Sequence, residues 1–246
     1  MQNKMFVHFT PWSGRSTTCV CFQMSEIGSP ECKLGRKEYW DEFYAQELQN
    51  FQEFGDTGDI WFGKINLERI VDWLLQSKIN KSSPVLDIGC GNGMTLISLA
   101  KVGFEDLTGV DYAVEAIELA KCVAKNNNVD IKLKALDFLN SSESSNSGIL
   151  NQTFDIIIDK GTYDAVCLNP ANATEKRQQY LKQVQQLLST EGYFLLFSCN
   201  WTKEELLSNF IGFKLYDEIK IPSIGFGGKT GQTVTALVMK KDDQIL

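Results

Sequence analysis

The segment VLDIGCGNG at residues 85–93 sets an apolar run directly before three glycines spaced two apart, Gly89, Gly91 and Gly93, and a helical pattern begins straight after them. A strand that runs into such a turn and then a helix brings main-chain N–H groups close to a ligand, because residues without side chains leave room for it. A nucleotide-type ligand is expected at this turn. The spacing bears on which nucleotide: a dinucleotide site asks for GxGxxG, and Met94 holds the position of its third glycine. GxGxG therefore leans away from a nicotinamide cofactor. Twenty-two residues after Gly89, the run GVDY contains Asp111, whose carboxylate can accept hydrogen bonds from both hydroxyls of a ribose. Asp137, in LDF, is placed to accept from an adenine amino group with Phe138 beside the ring, although an aspartate at a strand end is as often turn chemistry. An adenosine is the natural occupant of the set.

A second group follows the same logic. FDIIID ends at Asp159, at the C-terminal edge of a strand, where open α/β sheets hold their ligands. Lys160 either binds a carboxylate or points to solvent. GYFLLFSCN ends at Asn200, followed by Trp201. Asn200 either lines a channel or caps the helix TKEELL. The faces of Tyr39, Trp40, Trp61, Phe62, Tyr163 and Trp201 can attract a cationic group and exclude water. Core packing is the competing reading for Tyr39 and Trp40, which stand at helical spacing.

These residues need elements to position them. Residues 36–53 and 64–79 carry apolar side chains at three- and four-residue spacings, which predicts two amphipathic helices joined by the loop GDTGDIWFGK. From Pro84 short apolar runs alternate with helices: PVLDIG, GNGMTLISLAKVG, EDLTGVDY, AVEAIELAKCVAKNN and DIKLKALDF, then, beyond a Ser-rich loop at 141–148, FDIIIDKG, a helix over 174–188 and GYFLLFSCN. Alternation of this kind pairs strands in parallel, with helices on both faces of the sheet. FKLYDEIKI and TVTALVMKK have only the loop PSIGFGGKTGQ between them, so the final pair is predicted antiparallel.

Composition bounds the reading. The 246 residues, 43% hydrophobic, can bury one substantial core, with residues 1–33 read as a disordered extension before a single domain over 34–246. A net charge of -7 argues against a nucleic-acid partner, and no 18-residue apolar stretch exists to span a membrane. The seven cysteines are an odd number without metal-ligand spacing, and His8 is the one histidine, so no metal site is expected and a reducing compartment is, the cytoplasm or the nucleus.

DIGCGNG, GVDY and LDF, in this order, resemble the glycine motif, ribose acid and adenine acid of the seven-stranded S-adenosylmethionine-dependent methyltransferases. The resemblance implies a doubly wound, mostly parallel, Rossmann-like sheet with a reversed last strand. LGRKEYWDEFY, FGDTGDIWFGK, FDIIIDKGTYDAVCLNP, SCNWTKEELL and FGGKTGQTVTALV narrow it to the elongation factor 1-alpha lysine methyltransferase 2 family, over about Leu34 to Lys240. The segment CVCF has no place in that pattern. Carried onto this sequence, the resemblance implies a donor site of Trp40, Trp61, Asp87, Gly89, Gly91, Asp111, Tyr112, Asp137, Phe138 and Asp159, holding S-adenosylmethionine and then S-adenosylhomocysteine. It implies catalytic roles for Asp159, Tyr163 and Trp201, helices over 34–80 covering the site, and a monomer acting on elongation factor 1-alpha. A small-molecule methyltransferase and an inactive donor-binding scaffold are the alternatives.

Overall fold

The computed structural model describes residues 32–140, 148–169, 171–222, 224–226, 229–231 and 234–242. Most of the expected extension, with His8 and CVCF, lies outside them, as do residues 141–147 of the Ser-rich loop and parts of PSIGFGGKTGQ. Described structure begins at Cys32, which is buried and precedes a single 3-10 turn, Lys33–Gly35.

Strands β1 (Val85–Ile88), β2 (Leu107–Asp111), β3 (Lys132–Ala135), β4 (Phe154–Lys160), β5 (Leu188–Ser198), β6 (Phe213–Glu218) and β9 (Thr235–Lys241) form one sheet in the order β3-β2-β1-β4-β5-β9-β6. β1 pairs in parallel with both β2 and β4, whereas β9 runs antiparallel to both β5 and β6. The strand predicted to be reversed therefore lies inside the sheet, between its two partners. The loop expected before it contains a short hairpin instead, β7 (Ile224–Phe226) with β8 (Lys229–Gly231).

Uninterrupted burial along β1 and β2 follows from covering both sides of a parallel sheet, and the side chains alternate between two cores. Leu86, Ile88, Val110, Ile157, Phe194 and Leu196 face one side. There they meet helices α5 (Thr162–Cys167), α6 (Ala173–Leu187) and α7 (Lys203–Asn209) through Tyr163, Tyr180, Val184 and Leu206. Val85, Leu107, Ile156, Ile158, Leu195 and Phe197 face the other, against α2 (Gly63–Gln76) and α3 (Met94–Lys101). Helix α1 (Lys37–Phe54) lays Tyr44 on α4 (Val114–Asn126), among Ala116, Leu119 and Val123. Both N-terminal helices fall within a residue or three of the periodic segments, but α5 was not foreseen, since six residues are too few to show a helical period.

α7 starts at a capping box: the Thr202 hydroxyl accepts from Glu205 N–H, and the Glu205 carboxylate accepts from Thr202 N–H at 2.8 Å. Thr202, and not Asn200, caps the helix TKEELL.

Truncating Leu74, which is wholly buried on α2, is expected to cost about 2–5 kcal/mol in a denaturant melt. Leu75, its 42% exposed neighbour, is expected to tolerate alanine within about 0.5 kcal/mol. Equal losses at both positions would contradict the orientation given to α2.

Candidate active site

Pairing of Ile88 with both Val110 and Asp159, and of Asp111 with Ala135, brings the C-terminal ends of β1 to β4 to one edge. The turn after β1 opens there, at the point where the strand order reverses. Gly89 and Gly91 adopt φ of +64° and +52°, and a Cβ on Gly89 would collide with the Thr162 side chain, one on Gly91 with the Tyr44 hydroxyl. The Asp111 carboxylate then fixes the turn, accepting from Gly91 N–H and from Ala113 N–H at 3.0 Å each. Cys90 N–H donates to Val110 O at 3.0 Å, and Thr162 Oγ1 to Ile88 O at 2.7 Å.

One cleft lies over this edge. Gly89, Asp111, Tyr112, Asp137 and Phe138 line it from the sheet side, and Trp40 and Trp61 from the N-terminal elements. Trp40 donates its indole N–H to Leu34 O at 2.8 Å and packs against Trp61 with ring centroids 5.0 Å apart. Trp61 Nε1 is buried and has no partner among the described residues. Asp137 accepts from Leu139 N–H at 3.0 Å, the turn chemistry that competed for that position, yet it also borders the cleft. Phe138 is buried, with its ring 5.6 Å from that of Tyr180.

Five expected site residues are placed otherwise. Asp159 was expected at the reacting centre, but it is wholly buried and does not border the cleft. Its carboxylate accepts from Thr162 N–H and Tyr163 N–H at 2.8 Å each and from the Tyr180 hydroxyl, so it anchors the start of α5. Tyr163 packs on Phe210 at 4.8 Å, and Trp201 lies under the Arg177 guanidinium at 5.9 Å; both are core side chains. Gly91 lies under the Tyr44 hydroxyl, which borders the cleft in its place. Asp87 sits beneath the turn with Oδ2 unpartnered among the described residues. Spacing had pointed to none of Lys37, Tyr44, Asp164 and Asn169, which do line the cleft. Lys160 and Asn200 border it too.

Burial pushes the carboxyl of Asp87 up to about 7 against the pull of the Lys160 ammonium, and that of Asp111 up to about 6 against two backbone N–H groups. Burial also lowers the Lys160 ammonium, which Asp87 and Asp159 help to keep charged. Among the described residues no three His, Cys, Asp or Glu side chains stand close enough to hold a metal, and no helix is long and apolar enough to cross a membrane. The edge does fit an adenosyl amino acid: a buried carboxylate for hydroxyls, aromatic walls for the ring and a sulfonium, and a buried indole N–H on Trp61 without a partner among the described residues.

A seven-stranded sheet of this order, with one reversed inner strand and a glycine turn held by a buried aspartate, defines the Rossmann-like class of methyltransferases. A methyltransferase domain model matches residues 79–223. EEF1A lysine methyltransferase 2 of Homo sapiens is 48% identical over 218 residues, 88% of this chain and 90% of that one. Protein-lysine N-methyltransferase EFM4 of Saccharomyces cerevisiae is 34% identical over 225 residues, 86% and 96% of the two chains. Among solved structures, an SAM-dependent methyltransferase from Anabaena variabilis shares the fold at a TM-score of 0.60 and 18% identity, over 90% of this chain and 100% of that one. Magnesium protoporphyrin IX methyltransferase from Synechocystis, solved with bound SAM, shares it at 0.54 and 15%, over 81% and 97%. The chain belongs to the EEF1A lysine methyltransferase 2 family of protein-lysine N-methyltransferases.

The Asp87 carboxyl sets a pH dependence. Its folded value near 7 stands above the ordinary 3.8, so between those values the unfolded chain releases a proton that the folded chain keeps, and stability falls as pH rises. The melting temperature of the donor-free protein is expected to drop from pH 5 to pH 8, and Asp87→Asn to lessen the drop. An identical slope in the variant would show that Asp87 titrates normally.

Proposed function

We propose that the chain transfers methyl groups from S-adenosylmethionine to a lysine side chain of translation elongation factor 1-alpha. The observation that carries the reading is the cleft itself, where Gly89, Asp111, Asp137 and the Trp40 and Trp61 indoles meet, in a chain whose relatives bear that substrate in their names. The donor supplies an already activated methyl group, and the chain has to hold two reactants in line and keep water away. In this reading Asp111 takes the ribose hydroxyls on the lone pairs that its two backbone bonds leave over. Tyr112 and Phe138 flank the adenine, and Gly89 lets the amino-acid end approach the main chain. Asp159, Tyr163 and Trp201 act from behind the cleft wall by fixing α5 and the end of β5.

The incoming lysine has an ordinary pKa of about 10.4, and transfer needs its uncharged form. Apolar burial beneath Trp61 and Phe62 favours release of that proton. A net charge of -7 suits a basic protein substrate and supports the reading that nucleic acid is no partner. We extend the reading to a monomer of one domain over 34–246, working in the cytoplasm apart from membranes. A metabolite methyltransferase is the second reading, and the family membership weighs against it.

Mass spectrometry of elongation factor 1-alpha incubated with the chain and donor is expected to show a methylated lysine; an unmodified factor would refute the substrate. Asp111→Ala is expected to weaken donor binding by about 1.5–3 kcal/mol in calorimetry, the range for hydrogen bonds to a charged acceptor. Unchanged affinity would remove Asp111 from the donor site.

A further inference from the structure

The turn at the end of β5 is built with more polar bonds than a chain reversal needs. The Asp164 carboxylate, reaching from α5, accepts from Ser198 Oγ at 2.6 Å and from Cys199 N–H at 2.8 Å. Ser198 Oγ accepts in turn from Asn200 N–H at 3.2 Å and Trp201 N–H at 3.1 Å. The backbone of residues 198–201 is thereby locked to α5, and what the lock presents is the side chain of Asn200.

That side chain is 3% exposed and borders the cleft that also holds Gly89, Asp111 and Lys160. Its carboxamide meets only the Cys199 thiol among the described residues, at 3.7 Å, a weak bond for a group with an acceptor oxygen and two N–H donors. An amide oxygen that accepts only a weak thiol bond at a cleft wall can take a stronger N–H donor from a ligand. The helix-cap role that would account for it belongs to Thr202.

We propose that the Asn200 carboxamide oxygen accepts a hydrogen bond from the incoming amine and holds its lone pair toward the donor methyl group. The proposal rests on the reading of the chain as a protein-lysine methyltransferase and names the residue that receives the lysine. The amine lone pair forms the new N–C bond as the C–S bond breaks, its electron pair stays on sulfur and neutralises the sulfonium, and the proton shed by nitrogen goes to water. A neutral acceptor suits this step. A carboxylate in its place would favour the ammonium form, which has no lone pair to donate. The nearby carboxylates of Asp164 and Asp159 are instead engaged with Ser198, Cys199, Thr162, Tyr163 and Tyr180.

The test uses calorimetry on the full chain with two probes, S-adenosylhomocysteine and an adduct joining the donor skeleton to a lysine side chain through its ε-nitrogen. Asn200→Ala is expected to weaken the adduct roughly ten- to a hundredfold and to leave S-adenosylhomocysteine unchanged. Where alanine abolishes all binding through misfolding, Asn200→Ser supplies the same comparison. Asn200→Asp turns the neutral acceptor into a charged one and is expected to bind the adduct, a basic amine, at least as tightly as the parent, while methylating more slowly at neutral pH. Equal weakening of both probes would assign Asn200 to the donor; no weakening of either, or parental turnover in Asn200→Asp, would overturn the proposal. If elongation factor 1-alpha stays unmethylated by the parent chain, the substrate reading fails while the adduct affinities still decide the role of Asn200.

Discussion

The peptide from Ile88 to Gly93 is gripped from three directions: Thr162 from the start of α5, Asp111 from β2 and Tyr44 from α1. None of these leaves room for a side chain at Gly89 or Gly91, so the turn exists only as a glycine turn. Its position sets the floor of the cleft, and each gripping residue carries its own element to the same edge. Tyr44 brings α1, Thr162 brings α5, and Asp111 ends β2. Adding a methyl group at Gly89 would therefore disturb the wall formed by α5 together with the turn, because a packed interior transmits strain.

Placing several carboxylates at one sheet edge is costly, and the structure meets the cost in different ways. Asp159 is satisfied by three donors and Asp111 by two backbone N–H groups, whereas Asp87 retains an oxygen without a partner among the described residues. Lys160, itself drawn down by burial, supplies the compensating charge between Asp87 and Asp159. Removing that lysine would take away the charge that opposes burial at Asp87 and so favour protonation of that carboxyl.

Much of this was legible in residue order. Glycines at two-residue spacing after VLDI, with Asp111 on the next strand, marked the turn and its carboxylate, because both follow from local chain geometry. The alternation of runs and helices likewise fixed the parallel core, and the short connection before TVTALV its reversed strand. Asp159 stands at a strand end where ligands bind, and Tyr163 and Trp201 offer aromatic faces close after strand ends, yet position along the chain does not decide which way a side chain turns. Asp159 turns inward because α5 begins three residues later and its free N–H groups need an acceptor. Lys37 and Tyr44 stand in LGRKEYWDEFY, a segment whose spacing speaks of a helix and not of a site; they reach the cleft because α1 packs on α4, a contact between segments far apart in the chain.

The lid and the floor of the cleft are one unit. Asn92, between two glycines of the turn, donates its amide N–H groups to Thr57 O at 2.9 Å and Asp59 O at 3.1 Å, while Glu47 accepts from Asp59 N–H at 3.2 Å. The segment holding Trp61 and Phe62 is thus tied at its base to the glycine turn and to α1. The turn that would floor a ligand therefore also holds the Thr57 and Asp59 carbonyls that precede Trp61. Under the proposed function, the wall that meets the lysine is for this reason set by the same backbone that meets the donor, and substrate access becomes a property of the donor-bound turn and not of the lid alone.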